Sequence, residues 1–133
     1  MNQEFKGIFP MGTPNNPPAN SFVGQSYLSV LCSEGLTACN VTFEPGCHNN
    51  WHIHHKGGQL LLCTAGTGYY QEWGKPAQQL HPGDVVCISP EIKHWHGASP
   101  NSWFEHVAIA IPAEGSWAEW LEAINEADYL NLK

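Results

Sequence analysis

The sequence predicts an all-β barrel, on the evidence of its composition, its short strand-like segments and its regularly spaced turns. Only 13% of the residues are charged, whereas glycine, proline and tryptophan number 13, 10 and 6. Strand-like runs such as QSYLSVL, DVVCIS and WFEHVAIAI alternate with turn signals such as EPG, GKP and HPGD. Short strands separated by turns at regular spacing favour a sandwich or barrel over alternating strands and helices.

A single domain accounts for the 133 residues, and the pattern divides it into segments. Residues 1–24 are predicted to form an irregular arm, because FPMGTPNNPPANSF carries four prolines, which cannot donate to a central sheet. We expect this arm to lie across the barrel or to pair with the edge of a partner. Residues 25–112 supply the strands of the barrel.

Residues 113–133 are predicted to form a short helix packed on the barrel. Ser116 and Glu119 have the spacing of a capping box, in which each side chain satisfies a backbone N–H group at the start of a helix. Four apolar side chains would then share one helical face, namely Trp117, Trp120, Leu121 and Ile124. We interpret this stripe as a packing surface without chemistry.

Charge and hydropathy exclude several classes of partner. The net charge of −7 argues against nucleic acid, because an excess of Lys and Arg is needed to replace phosphate counterions. No apolar run approaches the ~20 residues that cross a bilayer, so no membrane partner is expected. The start, MNQEFKGIFP, lacks a basic region followed by an apolar stretch, so a cytoplasmic location is predicted.

The five cysteines are an odd number and include no Cys-x-x-Cys pair. We interpret them as small buried hydrophobic residues that stay reduced. The alternative is that Cys47 or Cys63 acts as a ligand or a reactive thiol.

Histidines concentrate in two stretches, FEPGCHNNWHIHHKGGQLLLCTAGTG and HPGDVVCISPEIKHWHG. Because strand side chains alternate between faces, His52 and His54 should point the same way, about 7 Å apart. Gln59 would begin the return strand of a hairpin and lie beside them. In the second stretch, His94 and His96 again share a face. Two imidazoles on one face of a strand can converge on one ion.

The run WFEHVAIAI supplies one further candidate. We expect Phe104, His106, Ala108 and Ala110 to face inward, because the two alanines would leave room for a small ligand beside His106. A neutral histidine is a suitable general base, since its pKa already lies close to neutrality.

These stretches resemble the two sequence motifs of the cupin family. The first motif is matched in order and spacing by Gly46, His52, His54, Gln59 and Gly66, and the second runs from Gly83 to His94. The family usually has Glu at the position of Gln59, and the second motif is matched more loosely. The resemblance implies a cupin double-stranded β-helix, also called a jelly-roll barrel.

A narrower resemblance is carried by NNWHIHHKGGQ, HPGDVV and KHWHGA. These strings are similar to small cupins related to carboxymuconolactone decarboxylase-like domains and to the manganese-dependent hydroxynitrile lyases of cupin fold. The resemblance implies that the metal ligands are His52, His54, Gln59 and His94. It also places His96 and His106 beside the open metal position, as candidate catalytic residues.

The donor set narrows the chemistry of the predicted metal. Three neutral imidazoles and a neutral amide leave the charge of a divalent ion uncompensated, which makes it a stronger Lewis acid that attracts anions. The oxygen donor suits manganese or iron, and the imidazoles also accept zinc, nickel or copper. We favour manganese. Gln59 could instead hydrogen-bond a ligand, and His96 and His106 could pack or hydrogen-bond without moving a proton.

Three hypotheses for function follow. The first is a metal-dependent enzyme that acts on a small oxygenated molecule, with lyase-type chemistry such as cyanohydrin cleavage. The second is an iron-dependent dioxygenase, and the third is a non-catalytic metal-dependent binding protein that partners a carboxymuconolactone decarboxylase-like protein. A homodimer is also predicted, because an isolated barrel with a proline-rich arm would leave strand edges bare.

Overall fold

The computed structural model describes residues 5–132, and most of that part of the chain is β-strand. Its elements follow in the order β1 (Thr13–Pro14), β2 (Phe22–Val23), β3 (Ser26–Cys32), β4 (Thr37–Phe43), β5 (His48–Asn49), β6 (His52–His55), β7 (Gln59–Gly66), β8 (Gly68–Glu72), β9 (Gln78–Leu80), β10 (Val85–Ile88), β11 (His94–Ala98), β12 (Phe104–Ala110), β13 (Trp117–Trp120) and α1 (Glu126–Leu130). The predicted all-β fold with a short C-terminal helix is confirmed.

Two antiparallel sheets form the barrel. The first sheet has the strand order β1-β3-β4-β12-β7-β10, and the second has the order β13-β6-β11-β5-β2, with β8 pairing β11 and β9. The inward side chains of both sheets make one apolar core, whose fully buried members include Phe43, Leu61, Ile88 and Phe104. This core lies directly beside the histidine-bearing strands.

Strand β12 is central in the first sheet, between β4 and β7. Its alternation separates His106, which faces inward, from Glu105, which faces outward, and both side chains are buried. The register between β12 and β7 shifts at Glu105/His106. Such a bulge bends a strand and redirects a side chain, and bulges often lie next to functional sites.

The N-terminal arm pairs with its own barrel. Within the predicted arm of residues 1–24, β1 pairs with the edge strand β3 and β2 pairs with β5. Residues 7–12 lie outside any strand, and the backbone N–H groups of Ile8 and Phe9 donate to the carboxylate of Glu105, at 2.9 and 3.2 Å. The arm therefore covers the outer surface of the first sheet. The predicted homodimer remains a prediction.

The C-terminal prediction was wrong in its placement of the helix. Ser116 does not cap a helix, because Trp117–Trp120 is strand β13, which pairs antiparallel with β6. Strand β6 would otherwise leave its outer edge unpaired, and tryptophan favours strands. The helix begins about ten residues later, where the side chain of Asn125 accepts a hydrogen bond of 2.9 Å from the backbone N–H of Asp128.

Helix α1 packs on the outer face of the second sheet, as expected of a helix packed on the barrel. Tyr129 is its buried residue, and the ring contacts His48 at a centroid distance of 4.1 Å. The Tyr129 hydroxyl donates to the backbone carbonyl of Ala98, which lies in β11. Among the described residues, no helix is long and apolar enough to cross a membrane.

Candidate metal centre

Strands β6 and β11 bring three of the predicted ligands together. His52 and His54 share the inward face of β6, and His94 of β11 is paired directly with His52. One ring nitrogen from each of the three histidines lies within 4.8 Å of the others. Sequence alternation alone predicts the His52–His54 pair, whereas the approach of His94 is produced by the sheet.

Backbone carbonyls fix the orientation of two of these rings. The Nδ1 of His52 lies 2.8 Å from the carbonyl oxygen of Asn50, and the Nδ1 of His94 lies 2.9 Å from that of Ile92. Since a carbonyl oxygen can only accept, each Nδ1 must donate its proton, which leaves Nε2 with the lone pair. A hydrogen bond of this kind selects the tautomer that metal-binding histidines require.

Several donor atoms at this site are buried without a partner. The Nε2 atoms of His54 and His94 and the Oε1 of Gln59 make no hydrogen bond among the described residues. Each such atom costs roughly 1–3 kcal/mol when it is left unsatisfied. Because these atoms belong to the predicted ligands, the residues present fit a divalent cation bound by three imidazoles and an amide oxygen.

Gln59 reaches this site from the first sheet. It opens β7 and is paired with Ala110 of β12 and with Ile88 of β10. Burial lowers the pKa of His54, and the nearby side chain of Gln59 opposes that shift by raising it. The predicted hairpin is wrong, because β6 and β7 lie in different sheets and do not pair. Gln59 instead approaches His54 from the opposite sheet.

Electrostatics keep all three imidazoles neutral. Burial, with a smaller contribution from the neighbouring His54, lowers the pKa of His94 to about 4. Burial also holds the pKa of His52 well below its usual value, with a second contribution from His94. Neutral imidazole is the form that binds a metal, so the site is ready for an ion at neutral pH.

A second pair of imidazoles lies beside the first group. The ring centroids of His96 and His106 are 5.0 Å apart and the rings are perpendicular, while His96 lies 6.4 Å from His52. His106 stacks on Phe104 at 4.8 Å and meets Phe43 edge-on at 5.2 Å. The two candidate catalytic residues therefore lie together, inside an aromatic wall.

The surroundings of His106 are apolar. Burial lowers its pKa to about 3, so the expectation that this pKa lies close to neutrality is wrong. Burial followed by the proximity of His106 holds the pKa of His96 well below its usual value. Neither ring nitrogen of His106 has a hydrogen-bond partner within residues 5–132. A neutral imidazole carries one donor and one acceptor, so both atoms are available to a molecule that can supply the complementary groups.

A small cavity reaches one predicted metal ligand, whereas a larger cavity reaches none. A cavity of about 140 Å³ at the barrel mouth reaches His54 and is bordered by Gly58, Ala110 and Trp117. A larger cavity of about 460 Å³ lies on the outer face of the second sheet, beside Trp51 and α1, and is lined by none of the predicted site residues. The volume at the mouth suits a small molecule.

Sequence reasoning did not assign Trp120 or Glu105 to the surroundings of the site. Trp120 packs its ring 4.5 Å from that of His52, a contact concealed by the helical interpretation of that segment. Glu105 is buried beneath the arm, where it also accepts hydrogen bonds from Asn40 and Thr64. The sequence did offer a clue, because Glu105 is the only carboxylate in the apolar run WFEHVAIAI and could have been predicted to be buried.

The prediction of buried cysteines is confirmed for Cys47 and Cys63 and is wrong for Cys32 and Cys87, which are exposed. Burial raises the pKa of Cys63 to about 11 and that of Cys47 to about 12, so both remain protonated near neutral pH. All five cysteines are free thiols. A protonated thiol is a poor nucleophile and a poor ligand.

Comparisons with known proteins agree with this architecture. The family model described as a cupin domain matches residues 39–105. The chain is 43% identical over 116 residues to the (R)-mandelonitrile lyase of Granulicella tundricola, which covers 84% of this chain and 88% of that protein. The residues matched by the family model include the histidine-bearing strands β6 and β11.

Solved structures show the same fold. A cupin-like protein from Thermotoga maritima superposes with a TM-score of 0.84 at 37% identity, over 95% of this chain and 96% of that one. A predicted oxalate decarboxylase from the same organism superposes with a TM-score of 0.66 at 20% identity, over 74% and 91% of the two chains. The family model, the 43% identical relative and the fold lead to one conclusion: the chain belongs to the cupin family.

Proposed function

We propose that this protein is a divalent-metal-dependent lyase that cleaves the carbon–carbon bond of a small cyanohydrin, with manganese as its metal. One observation carries the proposal. Donor atoms of three predicted ligands, His54, His94 and Gln59, and both nitrogens of His106 are buried without partners among the described residues, in a chain 43% identical to an (R)-mandelonitrile lyase. The unpartnered atoms form two adjacent sets, one suited to a cation and the other to a hydroxyl group.

The ligand set supports a Lewis-acid role. His52, His54, His94 and Gln59 would hold the ion, and none of the four side chains carries a negative charge at neutral pH. A bound divalent cation would supply Lewis-acid stabilisation of negative charge on a substrate oxygen or on a leaving anion. The neutral amide at position 59 leaves that charge at full strength.

The second imidazole pair supports proton transfer. His106 would accept the hydroxyl proton, because it is neutral and both its nitrogens are without a hydrogen-bond partner among the described residues. The O–H bonding pair then becomes the second bond of the carbonyl group, and the carbon–carbon pair departs with cyanide. The proton on His106 passes to the cyanide, so the products are an aldehyde and hydrogen cyanide. The apolar wall of Phe43 and Phe104 excludes water from this exchange.

The experiment begins with metal analysis of protein purified without added metal. That protein is then assayed for aldehyde release from mandelonitrile before and after chelation, and again after manganese is restored. The proposal requires turnover that chelation abolishes and manganese restores. Full turnover in chelated protein would overturn it, as would an absence of turnover in fully loaded protein.

His81→Ala is the matched control variant. His81 lies in the exposed HPGD turn, where its side chain is 57% exposed, so its removal should leave turnover unchanged. His106→Ala should lower kcat by about 10²–10⁴-fold, the usual contribution of a positioned general base. Oxygen consumption that depends on iron and substrate would instead favour a dioxygenase, and ligand binding without product would favour a binding protein.

A further inference from the structure

Asn49 makes two contacts with a single residue, His96. Asn49 lies in β5 and is 1% exposed. Its Oδ1 accepts a hydrogen bond of 2.9 Å from the backbone N–H of His96. Its Nδ2 lies 3.4 Å from the Nδ1 of the same His96. One side chain thus holds both the backbone and the ring of a candidate catalytic residue.

The backbone contact determines which way the Asn49 amide faces. A backbone N–H group can only donate, so the atom that meets it must be the amide oxygen. The atom that meets the His96 ring is therefore the amide nitrogen, which also can only donate. It follows that Nδ1 of His96 accepts, and that the proton of the neutral ring is carried on Nε2.

We propose that Asn49 is a positioning residue that locks His96 in its Nε2–H tautomer, so that His96 donates a hydrogen bond within the site and His106 alone accepts the proton. The catalytic part of this inference rests on the proposed function. His106 lacks the restriction placed on His96, because neither of its nitrogens has a hydrogen-bond partner among residues 5–132. The two imidazoles, 5.0 Å apart, therefore have different roles.

With His96 as donor and His106 as acceptor, the number of protons is conserved through the reaction. His106 takes the hydroxyl proton and later delivers it to the departing cyanide, so it carries the same proton in both steps. His96 keeps its own proton throughout and offers the Nε2–H as a hydrogen bond to negative charge that develops on the substrate. A neutral imidazole that stabilises an oxyanion in this way is an established catalytic device.

The first test is a direct measurement of the tautomer. Long-range ¹H–¹⁵N NMR correlation of zinc-loaded protein, which is diamagnetic, locates the proton on each histidine ring. We expect wild-type His96 to carry its proton on Nε2 and Asn49→Asp, which is isosteric, to move it to Nδ1, because a carboxylate only accepts. A wild-type His96 protonated on Nδ1 would overturn the inference, and this measurement needs no variant.

The second test is kinetic and separates positioning from stability. Asn49→Asp should lower kcat for mandelonitrile by about 100-fold, the size of effect seen when one donor to a developing anion is lost, with little change in KM. Asn40→Ala is the matched control, since Asn40 is also fully buried but contacts Glu105 and Pro10 and not His96. It should lower stability while leaving both the His96 tautomer and kcat unchanged.

The two tests distinguish the inference from the proposed function. An Nε2–H tautomer in a protein without lyase activity would retain the positioning role and overturn the function. Lyase activity in a protein whose His96 carries its proton on Nδ1 would do the reverse. An unchanged kcat in Asn49→Asp, despite a shifted tautomer, would overturn the role assigned to His96.

Discussion

His52 and His94 lie directly opposite each other across strands β6 and β11, with their ring centroids 4.2 Å apart. Both rings donate through Nδ1 to backbone carbonyls of their own strands or loops. Their Nε2 lone pairs are therefore concentrated in one buried region without compensating positive charge. This arrangement is costly in the metal-free protein and favourable once a cation binds, so the stability of the fold should depend on metal.

Metal should stabilise the wild-type protein by an amount set by its concentration. Binding to the folded state alone contributes about 2.7 kcal/mol when free metal is 100 times its Kd. We expect manganese to raise Tm in differential scanning calorimetry, and His94→Ala to remove that increase. An equal rise of Tm in His94→Ala would contradict the assignment of His94 as a ligand, and His81→Ala serves as the control.

Gln59→Glu tests the charge argument. The substitution is nearly isosteric and adds one negative charge beside the three imidazoles, so metal affinity should be equal or higher. Anions should bind the loaded protein more weakly, because the net charge of the site falls by one unit. Isothermal titration with manganese and then with cyanide measures both. Gln78→Glu adds the same charge on exposed β9 and should change neither affinity.

A contact within the site is easier to predict from the sequence when its two residues are close together along the chain. Alternation along one strand is a local property, so the shared face of His52 and His54 follows from the sequence. The pairing of His94 with His52 joins residues 42 positions apart, and only the resemblance to a family predicted it. The role of Asn49 in β5 was not predicted, because it depends on a contact with His96 in a second strand, β11.

The sequence was least informative where local and tertiary preferences compete. The segment around Ser116 and Glu119 has the spacing of a helix start, yet Trp117–Trp120 pairs with the open edge of β6. Pairing satisfies a row of backbone groups that a helix there would leave unpaired on β6. Glu105 is similar, because the arm that covers its carboxylate is nearly 100 residues away in the chain.

Glu105→Gln should release the N-terminal arm. The carboxylate accepts hydrogen bonds from the backbone N–H groups of Ile8 and Phe9 and from Asn40, and an amide offers one acceptor oxygen fewer. We expect a loss of about 1–3 kcal/mol in the free energy of unfolding, measured by urea titration. Cleavage between residues 5 and 12 by a nonspecific protease should also accelerate. Glu34→Gln, in an exposed turn, should alter neither.

His106→Phe should separate function from stability. The ring of His106 lies between Phe104 and Phe43 with both nitrogens unpartnered, so an apolar ring of similar shape removes two unsatisfied groups. The free energy of unfolding should stay constant or rise, whereas kcat should fall by about 10²–10⁴-fold. Metal content should be unaffected. A loss of metal from His106→Phe would place His106 among the ligands and contradict its role as a base.

The metal-free protein should lose stability as the pH falls below about 6.5, because burial lowers the pKa of His94 to about 4 and that of His106 to about 3. In the unfolded chain these histidines titrate near pH 6.5, so between about 6.5 and 4 the unfolded state binds more protons than the folded state. Each group then lowers the free energy of unfolding by about 1.4 kcal/mol per pH unit. Above pH 7 these histidines are neutral in both states and the effect vanishes.

Urea titrations of chelated protein at several pH values measure how the free energy of unfolding changes with pH. His106→Phe should reduce that slope by the contribution of one histidine. An unchanged slope in that variant would show that His106 titrates normally in the folded protein.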